Sequence, residues 1–482
     1  MNRTLYKLAL LLGAIALFIV GGFFQKQLNR QRSNPELNLS RVAPLDPDKA
    51  PPMLAFTTVA LGSFRGLIAN ALWIRASDLQ DEGKYFEMVQ LADWITKLEP
   101  TFAQVWLVQA WNMAYNISVK FTDPADRWQW VQRGIELLRD EGLRYNPKEA
   151  LVYRELAWFF QHKIGQNYDD AHVYYKTQWA RAMTNVFGGD RPNFDELLHP
   201  QTDAAQRRVE LLRNKFKMDP QQMQEVDKLY GPLEWRLPEA HAIYWASVGL
   251  GKVSTKDVLL LRRAIYQPLQ LAVFRGRVVR LPADGLIETG PDLDKVRLAN
   301  DGYEKMIAEE QTRKDAIQRA HRNFLREAIY LLYTYHRLGE ANYWFNYLRA
   351  KYPDGVPPNL TLEEYAFEKL IGNLDTLSYD KTKAIIEGLI FQSYRSLAVG
   401  EEDRANGTMG MARQLWQYYR DKTAGFEKRV GLPPFEAMKA SVVDLILKGE
   451  SPLAPELIPV LRSRLGLPAP VAASTNTPPK KP

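Results

Sequence analysis

The sequence predicts an all-α fold: a solenoid of helix hairpins with a small β-hairpin insertion, carried on one N-terminal transmembrane helix. Three observations lead there. Apolar residues recur at three- and four-residue spacing after residue 53, as in Leu67, Ala71, Ile74 and again in Leu91, Ile95, Leu98. The helical blocks are short, about 12–18 residues, and are punctuated by Gly, Pro, Asp and Asn. An uncharged run at 8–24, LALLLGAIALFIVGGFF, lies between Arg3 and Lys7 on one side and Lys26, Arg30 and Arg32 on the other.

That run spans roughly 25 Å as a helix, the short end of what crosses a bilayer core. A charged segment before an apolar run also describes a secretory signal peptide. Here no small-x-small cleavage site follows, since the exit reads Gly21-Gly22-Phe23-Phe24-Gln25. An uncleaved anchor over 1–25 is expected. Arg3 and Lys7 favour a cytoplasmic N-terminus, while Lys26, Arg30 and Arg32 pull the other way. Long C-terminal domains translocate largely regardless of charge, which places the remainder outside the cytoplasm. Residues 26–52, with Pro35, Pro44, Pro47, Pro51 and Pro52, read as a tether.

Composition narrows the class. Of 482 residues, 46% are hydrophobic and 25% charged, which is ordinary for a packed core and excludes a wholly disordered, collagenous or polytopic membrane chain. There is no cysteine, so disulfide scaffolds, thiolate metal sites and cysteine nucleophiles are excluded together. The net charge of +7 comes from 63 basic against 56 acidic residues, a near balance that argues against nucleic acid as the main partner.

The helical part, 53–186 and again 301–450, contains a repeat. One helix pair ends at Lys97-Leu98-Glu99-Pro100; a second opens near Trp106 and ends at Tyr145-Asn146-Pro147; a third opens at Tyr153 with Leu156, Ala157 and Phe160. Ala171 and Tyr175 give an A-x3-aromatic step, and Gly339-Glu-Ala341 with Phe345 and Tyr352-Pro353 gives it again with a closing proline. This resembles the tetratricopeptide repeat family, with its W-x2-L-G-x2-Y … A-x3-F … P pattern. The resemblance implies stacked two-helix hairpins presenting a concave surface to another protein. It covers about a third of the chain and is degenerate: an insertion falls near 116–127, and 187–300 does not repeat. In the family's carboxylate-clamp positions stand Trp73, Ser77, Val108, Leu151 and Glu155, so capture of a C-terminal carboxylate is not implied.

Within 187–300 the residues read as irregular and loop-rich, with one charged helix near 204–217, a second over 239–250 and a period of two from Leu271 through Val273, Arg275, Arg277, Val279 and Leu281 that predicts a β-hairpin. Residues 451–482 read as a disordered Pro-rich tail.

Chemistry-bearing motifs are sparse. None of the six histidines sits in H-E-x-x-H, and His162 and His172 flank a turn, a poor metal geometry without further ligands. Val248-Gly249-Leu250-Gly251-Lys252-Val253 lacks the first glycine and the hydroxyl residue of a P-loop. Asp169-Asp170, Glu363-Glu364 and Glu401-Glu402-Asp403 read as acids of a helix's first turn. No catalytic motif, cofactor or metal is expected. Seven of the twelve tryptophans fall between Trp94 and Trp179, either as filling between hairpins or as an aromatic groove. The groove would comprise Trp111, Asn112, Tyr115, Asn116 and Arg154. Arg275, Arg277 and Arg280 form a candidate basic patch, with Arg275 and Arg277 on one strand face. The expected function is that of a membrane-anchored, non-catalytic adaptor binding a protein through a concave helical surface. The alternative is an extracytoplasmic glycan-binding or glycan-processing protein using the Trp-rich cluster 94–179.

Overall fold

Several helix starts are set by side chains that satisfy the free amides of a first turn. Asp123 accepts from the Ala125 N–H ahead of Pro124, Asp219 from Gln221 and Gln222 ahead of Pro220, and Ser378 from Lys381. The computed structural model describes residues 3–32, 64–254, 257–357, 359–371, 378–424 and 431–468. Over these the fold is all-α with one small two-stranded antiparallel sheet. The chain divides into two compact units. The first comprises Met1–Tyr175, Leu212–Met218 and Trp245–Leu261, and the second Lys176–Leu211, Asp219–Tyr244 and Arg262–Pro482.

Helix α1 (Arg3–Arg32) contains the predicted anchor. Its side chains at 12–24 are all exposed, Leu17, Ile19 and Phe23 among them, while those of 1–11 lie outside the described residues. Among the described residues no helix is long and apolar enough to cross a membrane. The described apolar stretch, 12–24, covers only about 20 Å at 1.5 Å per residue. Most of the tether, at 33–52, lies outside the described residues.

In the first unit, α2 (Phe64–Asp81) and α3 (Tyr85–Leu98) pack as a hairpin around the turn at Gly83. Ala69 of α2 meets Ala92, Ile95 and Leu98 of α3 and Val105 of α4 (Ala103–Trp111). Helix α5 (Pro124–Glu136) lies on α4, and α6 (Ala150–Trp158) packs on α4 in turn. Gly134 is what lets α5 approach: a Cβ there would stand 2.8 Å from the Ala110 carbonyl oxygen. The Pro100 carbonyl accepts from both the Trp106 indole (2.8 Å) and the Asn146 amide (3.0 Å), so the prolines and asparagine at the hairpin ends are tied together.

Each of α4, α5 and α6 runs directly into a π-helical segment, at Asn112–Ile117, Leu137–Gly142 and Phe159–Ile164. The second ends in a further turn, Leu143–Tyr145. Such segments are rare, usually single turns, and often mark functional sites. Helix α7 (His172–Phe187) follows.

The stretch expected to be irregular is largely helical: α8 (Phe194–Leu198), α9 (Asp203–Asn214), α10 (Pro220–Tyr230), α11 (Pro238–Leu250) and α12 (Val258–Arg275). Two of these, α9 and α11, stand where helices near 204–217 and over 239–250 are expected, and α8, α10 and α12 are additions to that reading. Helix α11 is buried continuously from Pro238 to Ala246. The hairpin is present but shorter than its alternation. β1 (Arg277–Arg280) pairs antiparallel with β2 (Glu288–Gly290), Arg277 facing Gly290, whereas Leu271, Val273 and Arg275 belong to the end of α12.

Beyond it stand α13 (Val296–Glu309), α14 (Lys314–Thr334), α15 (Leu338–Lys351), α16 (Leu362–Ile371), α17 (Tyr379–Ala398), α18 (Glu402–Lys422), α19 (Phe435–Leu447) and α20 (Ile458–Arg464). Ala341 and Phe345, the A-x3-F step, are buried in the α14–α15 hairpin. The tail expected to be disordered is folded as far as it is described: Leu453, Leu457 and Leu461 recur every four residues and are buried. Residues 469–482 lie outside the described residues.

Two predictions follow from this packing. Helix α18 approaches α14 so closely at Gly407 that a Cβ would press into the Thr334 carbonyl, while a Cβ at Gly410 meets nothing within 4 Å. Gly407→Ala should lower the urea stability of the protein by about 1–3 kcal/mol, and Gly410→Ala should raise it slightly. His321 is fully buried, 2.9 Å from Asn300 Oδ1 through Nε2 and 3.0 Å from the Tyr352 hydroxyl through Nδ1. A neutral ring that donates from Nε2 and accepts at Nδ1 satisfies both. Burial holds its pKa down to about 4, against the Glu304 carboxylate, which pulls it up. The folded value lies below the unfolded value of about 6.5, so this contribution is complete above that pH and is lost as pH falls towards 4. Thermal melts should show a loss on the order of 3 kcal/mol across that window, and His321→Gln should flatten it.

Candidate functional site

The Trp-rich segment divides between core and surface. Trp106, Trp128 and Trp179 are buried, Trp130 and Trp158 half-buried, and Trp94 and Trp111 exposed. The surface part gathers where the first and third π-helical segments bring α4 and α6 side chains together. Trp111 and Tyr115 stack at 3.9 Å, and the Tyr115 hydroxyl lies 3.1 Å from Nδ1 of His162. Trp158 stacks on His162 at 4.5 Å and Tyr168 stacks on it at 5.1 Å. The result is a row of five rings from Trp111, 38% exposed, to Tyr168, 81% exposed.

Burial, chiefly, raises the Tyr115 phenol well above its ordinary range, so it stays protonated, although the nearby Trp158 indole acts in the opposite direction. Burial and then Lys163 lower His162, leaving a neutral ring. The Tyr115 hydroxyl and His162 Nδ1 thus share one hydrogen bond between two neutral groups.

Beneath the row lies a charge network. Asp169 accepts from Lys163 Nζ (2.6 Å), the Ala171 amide (2.9 Å), Arg127 (3.1 Å) and the Tyr175 hydroxyl (3.1 Å). The Lys163 and Asp169 side chains are 4% and 7% exposed. Burial alone would raise the Asp169 carboxyl, but Lys163, the Ala171 amide and Tyr175 outweigh it and hold it at about 2. Arg127 also pairs with Asp170 and donates to the Phe121 carbonyl (2.6 Å), and Lys163 lies 5.0 Å from the Tyr115 ring centre. Two cations and two carboxylates thus clamp the loop that presents Tyr168.

Of the residues named from sequence, Trp111 and Tyr115 are in the row. Asn112 is not: it is buried, donates to the Tyr85 carbonyl at 3.2 Å and receives Asn116 at 3.2 Å, so the two asparagines tie helices together. Arg154 is paired with Glu155 at 3.0 Å. The basic patch is neutralised: Arg275 pairs with Glu239 (2.7 Å), Arg277 with Glu401 and Arg280 with Glu456 (2.6 Å), and Arg275 ends α12 rather than sharing a strand face with Arg277. His162, Lys163, Tyr168 and Asp169 were missed as a unit. The signal was a His-Lys pair seven residues ahead of Asp-Asp in an aromatic stretch, and the non-helical turn at 165–171 between them hides the pairing from a helical period. Among the described residues no three His, Cys, Asp or Glu side chains converge on a metal position.

Asp169→Asn leaves Lys163 buried without its counter-charge and should cost about 3–5 kcal/mol in urea unfolding. Tyr168→Ala, at an exposed ring, should leave the midpoint unchanged. No family model, curated protein or solved structure matches this chain.

Proposed function

We propose that this protein is a membrane-anchored, non-catalytic adaptor of tetratricopeptide type that binds another protein through the aromatic row of its first unit. The observation that carries the reading is a row of half-buried rings, exposed at both ends, above a four-donor carboxylate. Rigid, half-buried aromatics are what protein interfaces use as anchors, because they bury large areas and lose little conformational freedom. The hairpins α2–α3 and α14–α15, with Ala341 and Phe345 in the second, support the repeat assignment. Membrane attachment is supported by the unbroken helix Arg3–Arg32 together with the apolar run 8–24 and its flanking basic residues. The charge rule for long domains supports a location outside the cytoplasm.

One observation favours a second reading. The near-parallel stack of Trp158 and Tyr168 with His162 offers flat faces of the kind that a sugar ring covers. The test is purification of the full-length chain from native membranes in mild detergent, beside a Trp111→Ala/Tyr168→Ala variant of equal helicity. The adaptor reading expects a stoichiometric protein partner whose recovery falls at least tenfold in the variant, as loss of two aromatic anchors implies. A partner retained by the variant would remove the row from the account. Specific retention on a glycan array, without a protein partner, would establish the second reading instead.

A further inference from the structure

Helix α14 of the second unit turns one face to the core, with His321, Phe324, Leu325 and Ala328 buried. Arg319, Arg322 and Arg326 recur at three- and four-residue spacing on the opposite face, over about 10 Å of helix. Like charges at that spacing repel, so the row weakens the helix that carries it unless an anion neutralises it. None among the described residues does. Arg319 is exposed and Arg322 half-buried, and neither makes a hydrogen bond or an ion pair among the described residues. Arg326 donates to a neutral group, the Gly355 carbonyl, at 2.5 Å.

The same glycine places Arg322. A Cβ at Gly355 would stand 3.1 Å from Arg322 Cδ, so the arginine stem lies across the glycine and both side chains are brought to one residue. The Arg322 Nε is shut off from solvent and its terminal nitrogens are not, which leaves those two as the groups that can meet a ligand. The acids around the row are either taken or stand apart. Glu327 pairs with Lys369, and Glu304 pairs with Lys351 at 2.6 Å. Asp315, one turn ahead of Arg319, and Asp354, beside Gly355, are exposed and form no ion pair among the described residues. At the far end of the loop, Arg349 donates to the Leu360 carbonyl. Helix α16 opens there with Glu363 and Glu364, so that end carries no excess of cations.

We propose that the arginine row of α14 binds an acidic segment of a partner protein. A guanidinium presents a planar fork of donors that matches a carboxylate with two parallel N–H···O bonds, and such charge-assisted pairs are about twice as strong as neutral ones. Three forks, each about one helical turn from the next, suit carboxylates repeated along a peptide. A lone phosphate beside Gly355 would leave Arg319 unused. The row belongs to the second unit, and the proposal does not depend on the aromatic row of the first.

Fluorescence anisotropy of a labelled hexaglutamate peptide, titrated with the full-length chain in neutral detergent, tests it. Saturable binding that weakens with added salt, and none of hexalysine, is the expected result. Arg322→Gln is the clean variant, because that side chain has no hydrogen bond or ion pair to lose among the described residues. It should weaken the peptide about tenfold at an unchanged melting temperature. Arg297 is also exposed and without an ion pair among the described residues, but it lies beside Arg337 and Trp344, towards the other end of α14. Arg297→Gln should leave binding unchanged. No saturable binding up to about 100 μM chain, or an equal loss from the two variants, would overturn the proposal. Displacement of the peptide by less inorganic phosphate than unlabelled peptide would overturn it too, and would reassign the row to a phosphate group.

Discussion

The candidate surface depends on one anion. Asp169 has a carboxylate almost out of solvent, and four donors converge on it from α5, the third π-helical segment and the start of α7. A carboxylate and an ammonium this buried are tolerated only when each is paired and further hydrogen-bonded. That requirement fixes the loop at 165–170 relative to the helices around it. With the loop fixed, Tyr168 and His162 keep their stacking, and the row from Trp111 to Tyr168 has one shape. The network adds little net stability over an apolar substitute; its contribution is to make the surface single-valued.

The π-helical segments are the second element of the same design. Inserting a wide turn shifts the side chains that follow it around the helix axis. Tyr115 lies within the first such segment and His162 and Lys163 within the third, so the aromatic and charged layers arise from the same irregularity on two helices. A π-helical turn retained on both helices at the ring cluster is consistent with use of that cluster, and Ala114 and Phe160 of the same segments are buried beside it.

Much of the helical architecture was legible in the sequence. The hairpin ends at Pro100 and Asn146-Pro147, the Ala341/Phe345 step and the β-hairpin near 277–290 are where the residues put them. Within 194–275, α9 and α11 were legible as helices, whereas α8, only five residues long, and α12, whose end alternates like a strand, were not. The site was half legible. Trp111 and Tyr115 announce themselves as large rings one helical turn apart. Asn112 was misread because a buried asparagine looks like a groove residue until its partner, the Tyr85 carbonyl, is seen. Arg277 was misread because its counter-charge, Glu401, is distant in sequence. Asp169 looked like a helix cap, and it is one, but its second oxygen holds Lys163 and Tyr175. Long-range pairing of charges leaves no local pattern.

The central proposal is that the aromatic row of the first unit is covered by another protein in the chain's native setting. Hydrogen–deuterium exchange on the full-length chain, in native membranes and again after purification to a single component, tests this most directly. The account predicts that amides of 158–170 exchange more slowly in the membrane sample while those of α17 and α18 are unchanged. Equal exchange at 158–170 in the two samples would contradict it.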